Sequence, residues 1–78
     1  MEITVRYFAA LREEKGCDVE TVEISTGTRV VALYQHLFGA GPLGGLRVMF
    51  AVNQGYVPAG HALCAGDEVA FIPPLGGG

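Results

Sequence analysis

Apolar and polar residues alternate from Glu2 to Phe8, with Ile3, Val5 and Tyr7 on one side and Glu2, Thr4 and Arg6 on the other. A period of two predicts a strand with one buried face. Helix formers fill Ala9 to Lys15 and stop at Gly16, which predicts a short helical turn closed by a left-handed glycine. Alternation returns from Asp18 to Ser25, where Val22 and Ile24 oppose Thr21 and Glu23, so the two strands make a hairpin with a wide connection. Thr26-Gly27-Thr28 opens a second helix, and Thr28 is the expected cap because its hydroxyl can accept from an early backbone N–H. Val30, Leu33, Tyr34, Leu37 and Phe38 then recur at helical spacing as one apolar stripe, ended by Gly39. Residues 39–45, Gly-Ala-Gly-Pro-Leu-Gly-Gly, have the composition of a loop. Arg47 to Val52 shows little polar alternation and predicts an inner strand with both faces covered. Asn53-Gln54-Gly55 turns the chain into Tyr56-Val57, which Pro58 ends. After a turn at Ala65-Gly66-Asp67, Glu68 to Ile72 forms the last strand, and Pro73-Pro74 stops it by removing two ladder donors.

The order β-β-α-β-(β)-β, with one main helix across a mixed sheet, predicts an α+β roll of the β-grasp, ubiquitin-like kind. Seventy-eight residues suffice for one domain, 1–78, with residues 73–78 expected as a flexible C-terminal tail. A chain of this size buries about 62% of its unfolded surface, enough for a modest core but not for an enclosed active-site cavity. Half of the residues are apolar and 17% are charged, against a usual quarter, which argues against disorder. The mean hydropathy of +0.37 is high for so small a chain and predicts apolar surface left outside for a partner.

Charge narrows the function further. The net charge is −3 and no cluster of Lys or Arg exists, so the basic footprint that neutralises nucleic-acid phosphates is missing. The longest strictly apolar run, Val48 to Val52, falls far short of the roughly 18 residues that span a bilayer, so no membrane role is expected. Met1 to Arg6 carries no charged leader followed by an apolar stretch, and Cys17 and Cys64 lie far apart without a CxxC pair. A cytoplasmic protein with two reduced thiols is the expectation.

The familiar catalytic constellations find little support. Ser25 is the one serine and has no triad spacing around it. Cys17, His36, His61 and Cys64 lack the two tight pairs of a structural zinc site, so no metal is expected. Asp67 and Glu68 are adjacent and would point to opposite faces of a strand, which suits a solvated turn better than an acid–base pair. The glycine-rich stretch 39–45 is followed by no Lys or Thr and opens no helix, so it is no phosphate cradle. The C-terminus is different. Leu75-Gly76-Gly77-Gly78 follows two prolines, and a glycine run without Cβ atoms can thread a narrow channel and adopt whatever φ/ψ the passage imposes. Pro73 and Pro74 stiffen the root of this arm. From Pro74 to Gly78 it reaches about 13 to 14 Å, and a carboxylate at its end could be activated by another protein's ATP and carry a group.

Three blocks resemble a known family. Gly66 to Gly78, with the ending Ala70-Phe71-Ile72-Pro73-Pro74-Leu75-Gly76-Gly77-Gly78, is similar to the end of the small subunit of molybdopterin synthase, a ubiquitin-like sulfur carrier. Tyr7-Phe8-Ala9-Ala10-Leu11-Arg12-Glu13-Glu14-Lys15-Gly16 resembles that family's strand-then-FAxxRExxG opening, and Ala51-Val52-Asn53-Gln54 ahead of Tyr56-Val57 is a third match. The resemblance implies that the Gly78 carboxylate is adenylated by a ubiquitin-activating-like enzyme that uses ATP, and is then converted to a thiocarboxylate with sulfur from a donor protein. It implies sulfur transfer to a cyclic pyranopterin phosphate in molybdenum cofactor biosynthesis. The large subunit would supply the catalytic groups, so this chain would be no enzyme on its own and would hold no permanent cofactor. Phe71, Pro73, Pro74, Leu75 and Gly76 would help form the docking surface, with Gly77 and Gly78 threaded into the partner's site. Phe71 lies in a strand whose alternate residues face the core, so packing and docking both stand open for it.

Other readings share parts of this pattern. The thiamine-pathway sulfur carrier is similar in fold and also ends in Gly-Gly, and Gly76 stands where the synthase subunits often have a polar or β-branched residue. A ubiquitin-like protein modifier joined through Gly78 would share the activation step. A non-catalytic β-grasp interaction domain would leave the tail idle.

Overall fold

The computed structural model describes residues 1–39 and 48–73. Seven elements follow in order: β1 (Glu2–Tyr7), α1 (Ala9–Lys15), β2 (Val19–Glu23), α2 (Val30–Phe38), β3 (Met49–Val52), β4 (Gly55–Val57) and β5 (Glu68–Ile72). The strands form one sheet in the order β2-β1-β5-β3-β4. β1 and β5 run parallel at its centre, and every other neighbouring pair is antiparallel. This is the mixed sheet of a β-grasp fold, with the first and last strands of the chain brought side by side.

One face of the sheet is buried. Ile3, Val5 and Tyr7 of β1, Val69 and Phe71 of β5 and Val52 of β3 turn toward α2, which returns Val30, Leu33 and Tyr34. Five aromatic rings close the core at the C-terminal end of β1 and β5. The Phe71 ring centroid lies 5.2 Å from that of Tyr34, 5.8 Å from Phe50, 6.3 Å from Phe38 and 6.4 Å from Tyr7, mostly edge to face. α1 adds Leu11, which is fully buried, and ends at Gly16 in the left-handed region (φ 78°), with the Gly16 N–H donating to the Arg12 carbonyl at 2.9 Å. A left-handed glycine closing α1 is what the run Glu14-Lys15-Gly16 predicts.

Two local expectations are corrected. Thr28 does not cap α2: its hydroxyl donates to the Ser25 carbonyl at 2.6 Å, and the N-cap position belongs to Arg29, without a side-chain bond. Two N–H groups at the start of the helix find backbone partners instead. Val30 donates to the His61 carbonyl (2.9 Å) and Val31 to that of Ala59 (3.1 Å), so the segment between β4 and β5 does the capping. That segment is further fixed by the Leu63 N–H on the Thr28 carbonyl and by burial of Leu63. The second correction concerns β3, which lies inside the sheet yet has one open face: Met49 is 53% exposed. An inner strand in this sheet is covered on one side only, because both helices lie on the same side. Residues 40–45 of the glycine-rich stretch, and Arg47, lie outside the described residues.

The hairpin between β3 and β4 turns on Asn53 and Gln54, both at positive φ (51° and 71°), the signature of a type I′ turn. Asn53 is also tied to the start of β5. Its Nδ2 donates to Asp67 Oδ1 (3.0 Å) and its Oδ1 accepts the Glu68 N–H (3.0 Å), while Asp67 Oδ2 accepts the Cys64 N–H (2.8 Å). Asp67 is thus a turn-building carboxylate, as its place in Ala65-Gly66-Asp67 suggested.

Candidate functional site

Strand alternation that buries Tyr7 and Phe71 sends their neighbours to the opposite face. Arg6 and Phe8 from the end of β1, Ala70 and Ile72 from β5, Met49 and Ala51 from β3 and Tyr56 from β4 share the side opposite α1 and α2. Ala51 pairs with Ala70 on one neighbour and with Tyr56 on the other, and Met49 pairs with Ile72. Two alanines side by side leave a trough between taller walls. The result is a groove of about 390 Å³ lined by Arg6, Phe8, Gln54, Tyr56, Glu68 and Ile72 over that alanine floor. Phe8 is 45% exposed and Tyr56 68%, and among the described residues Phe8, Val19, Met49 and Tyr56 are the large apolar side chains left most open. An ion pair, Arg6 Nε to Glu68 Oε2 at 3.1 Å, borders the groove.

The position of this face matters as much as its composition. β5 runs parallel to β1, so its end at Ile72 lies beside the end of β1 at Tyr7 and Phe8. The chain therefore leaves the sheet at Pro73, next to the apolar groove. A second groove, about 500 Å³, is lined by Glu23, Ser25, Thr28 and His36 among others, where β2 ends against α2. Because Glu23 pairs with Glu2, that groove sits at the start of β1, at the far end of the strands from the β5 exit.

The sequence-derived site residues separate on inspection. Phe71 is fully buried and touches four rings of the core, and Pro73 is buried at the end of β5. Of the two roles open for Phe71, the structure shows packing: period-two alternation turns its ring toward α2, while Pro73 is buried beside it and Ala70 and Ile72 take the opposite face of β5. Pro74, Leu75, Gly76, Gly77 and Gly78 lie outside the described residues. Phe8, Met49, Tyr56 and Ile72 were not singled out by the sequence reading. Their signal was present in it, as apolar residues at outward strand positions and a high mean hydropathy. Cys17 is half-buried and Cys64 exposed, both with free thiols. Among the described residues no group of three or more His, Cys, Asp or Glu could hold a metal ion, and no helix is long and apolar enough to cross a membrane.

Two tyrosine hydroxyls behave as groups kept neutral. Burial, reinforced by the Glu20 carboxylate that accepts its hydrogen bond, pushes the Tyr7 phenol far above its ordinary value. Burial also raises Tyr34, whose hydroxyl has no hydrogen-bond partner among the described residues.

Comparison with known proteins agrees with this geometry over almost the whole chain. The model of a family described as the ThiS family matches residues 5–78. The chain is similar to the molybdopterin synthase sulfur carrier subunit of Chlamydomonas reinhardtii, 42% identical over 83 aligned residues with 100% of both chains covered. It is likewise similar to that of Escherichia coli (strain K12), 41% identical over 81 residues, covering 97% of this chain and 99% of the relative. Among solved structures, SAMP1 from Haloferax volcanii superposes with a TM-score of 0.80 at 28% identity, with 100% of both chains covered.

Proposed function

The chain belongs to the ThiS family, and we propose that within it this protein is the sulfur carrier subunit for molybdopterin synthesis. The observation that carries the reading is end-to-end similarity, at 42% and 41% identity, to two proteins named molybdopterin synthase sulfur carrier subunit. In this reading the Gly78 carboxylate attacks the α-phosphate of ATP on a ubiquitin-activating-like enzyme, releasing pyrophosphate and leaving an acyl adenylate. A sulfide equivalent from a sulfur donor protein then adds to the carbonyl carbon, the bond to AMP breaks, and a thiocarboxylate results. The tail, Pro74 to Gly78, enters the large subunit of the synthase, where the sulfur passes to a cyclic pyranopterin phosphate. The catalytic groups belong to that subunit, and ATP is used only by the activating enzyme.

The open sheet face supports the docking half of this reading. Phe8, Met49, Tyr56 and Ile72 offer an apolar patch beside the root of the tail, so one partner surface can grip the sheet while the glycines reach into its site. Glycines at 76, 77 and 78 present no Cβ to the walls of that passage. A second reading, a protein modifier joined through Gly78, is favoured by the likeness to SAMP1, small archaeal modifier protein 1 of H. volcanii.

Intact mass separates them. After incubation with ATP, the activating enzyme and a sulfur donor, a carrier gains the difference of one sulfur for one oxygen, whereas a modifier yields a series of heavier conjugates. Conversion of pyranopterin substrate by the charged chain with the large subunit completes the test, and Gly78 deletion abolishes it. An unchanged mass with competent partners overturns the carrier reading.

A further inference from the structure

An activated carboxyl is a hazard to the chain that carries it, because any free amine within reach converts it to an amide. Four of the five basic residues are arginines (Arg6, Arg12, Arg29 and Arg47), and Lys15 is the chain's one lysine. A guanidinium stays protonated and does not attack acyl groups. Lys15 thus holds the one side-chain amine able to capture an acyl adenylate formed at Gly78.

That amine is held on three sides. Its Nζ lies 3.6 Å from Glu20 Oε2, 5.9 Å from the Tyr7 ring centroid and 6.0 Å from that of Phe38. Glu20 Oε2 is itself fixed, since it accepts the hydroxyl of Tyr7, whose side chain is 1% exposed. The carboxylate is therefore anchored from the core, unlike that of an ordinary surface ion pair, and two aromatic faces take up the cation. The Lys15 side chain retains 26% of its exposure.

The tail is long enough to find this amine. Tyr7 stands opposite Phe71 in the β1–β5 register, with Lys15 Nζ over the same Tyr7 ring that lies 6.4 Å from the Phe71 ring. Ile72 still pairs with Met49 and Pro73 is buried, so five residues, 74–78, lie beyond; extended, they span about 16 to 18 Å from the end of the sheet at which Nζ lies over the Tyr7 ring. We infer that Lys15 is the chain's own acylation site, and that the Glu20 carboxylate with the Tyr7 and Phe38 rings shields it from the activated Gly78 carboxyl. This rests on the reading that Gly78 is adenylated. In the step being suppressed, the Lys15 ammonium first gives a proton to solvent, the freed Nζ lone pair forms a bond to the carbonyl carbon, the carbon–oxygen bond to AMP breaks with its electron pair leaving on AMP, and the new amide nitrogen gives a second proton to solvent.

Two measurements test it. First, the whole chain is treated with a limiting amount of sulfo-N-hydroxysuccinimidyl acetate, and acetylation of Lys15 is followed by peptide mass mapping. Glu20→Gln keeps an acceptor for Tyr7 and removes the charge, and it should label up to about fivefold faster than the unaltered chain, the upper end for releasing one ion pair. Salt near 1 M should speed labelling of the unaltered chain in the same direction. Second, the chain is incubated with ATP and the adenylating enzyme without a sulfur donor, with pyrophosphate exchange read in parallel. Glu20→Gln should accumulate the internally amide-linked form, one water lighter than the chain, faster by a similar factor. Lys15→Arg should form none, because the remaining amine, that of Met1, is held at the opposite end of β1 on the Ile24 carbonyl at 2.6 Å. Equal labelling with and without the Glu20 charge, or an internally amide-linked form that persists in Lys15→Arg, overturns the inference while pyrophosphate exchange leaves the carrier reading standing. Absence of exchange overturns the carrier reading and the inference with it.

Discussion

Replacing Phe71 by alanine removes the ring on which Tyr7, Tyr34, Phe38 and Phe50 converge at centroid distances of 5.2 to 6.4 Å. The side chain is fully buried, so its loss combines the transfer free energy of the ring with a cavity that neighbouring aromatics fill poorly. Such truncations cost about 3 to 5 kcal/mol. A domain of 78 residues is stable by about 4 to 12 kcal/mol, so Phe71→Ala removes a quarter or more of the total. At about 4 to 8 °C per kcal/mol, the melting temperature should fall by at least about 12 °C. Thermal and guanidinium unfolding followed by far-ultraviolet circular dichroism measures it. Phe71→Leu, which keeps most of the volume and costs under about 1.5 kcal/mol, provides a folded variant for binding measurements. Ile72→Ala is the control: on the open face it should weaken binding of the large subunit while shifting the melting temperature less than Phe71→Ala. If Phe71→Ala melted within about 3 °C of the unaltered chain and failed to bind, Phe71 would be a docking residue and the alternation argument wrong.

Other outcomes follow from the same geometry. Tyr7 and Tyr34 ionise less readily in the folded chain than in the unfolded one, so their contribution is complete below about pH 10 and is lost as pH rises toward their folded values. Denaturant midpoints should fall above pH 10, by about 1.4 kcal/mol per pH unit for each fully suppressed tyrosine, and Tyr7→Phe should flatten that limb. Gly16→Ala should cost about 1 kcal/mol in thermal unfolding. A Cβ there meets nothing within 4 Å, so the penalty comes wholly from the left-handed backbone. Asn53→Ala loses both the bonds to Asp67 and Glu68 and the side chain that tolerates φ 51°, for about 1 to 3 kcal/mol in urea unfolding, whereas Asn53→Gly should cost less by relieving the backbone.

Much of the architecture was legible along the chain because it rests on local rules. Period-two alternation located β1, β2 and β5, the Val30-Leu33-Tyr34-Leu37-Phe38 stripe located α2, and Gly16 marked the end of α1. The glycine-terminated tail and the family resemblance were also properties of residue order. What local pattern could not supply was anything set by a neighbour distant in sequence. The cap of α2 is the clearest case: Thr28 has the right chemistry, but the carbonyls of Ala59 and His61 arrive first because the segment after β4 folds back onto the helix start. Phe71 could be read as core or as surface until β5 was placed parallel to β1 with α2 above both, which fixed the face it turns to. The open apolar face depended on the same placement. Phe8, Met49, Tyr56 and Ile72 are scattered over 65 residues and become one surface only when β1, β5, β3 and β4 lie side by side with both helices on the other face. Periodicity tells each strand that it has two faces; which of them meets water is decided by packing between elements far apart in the chain.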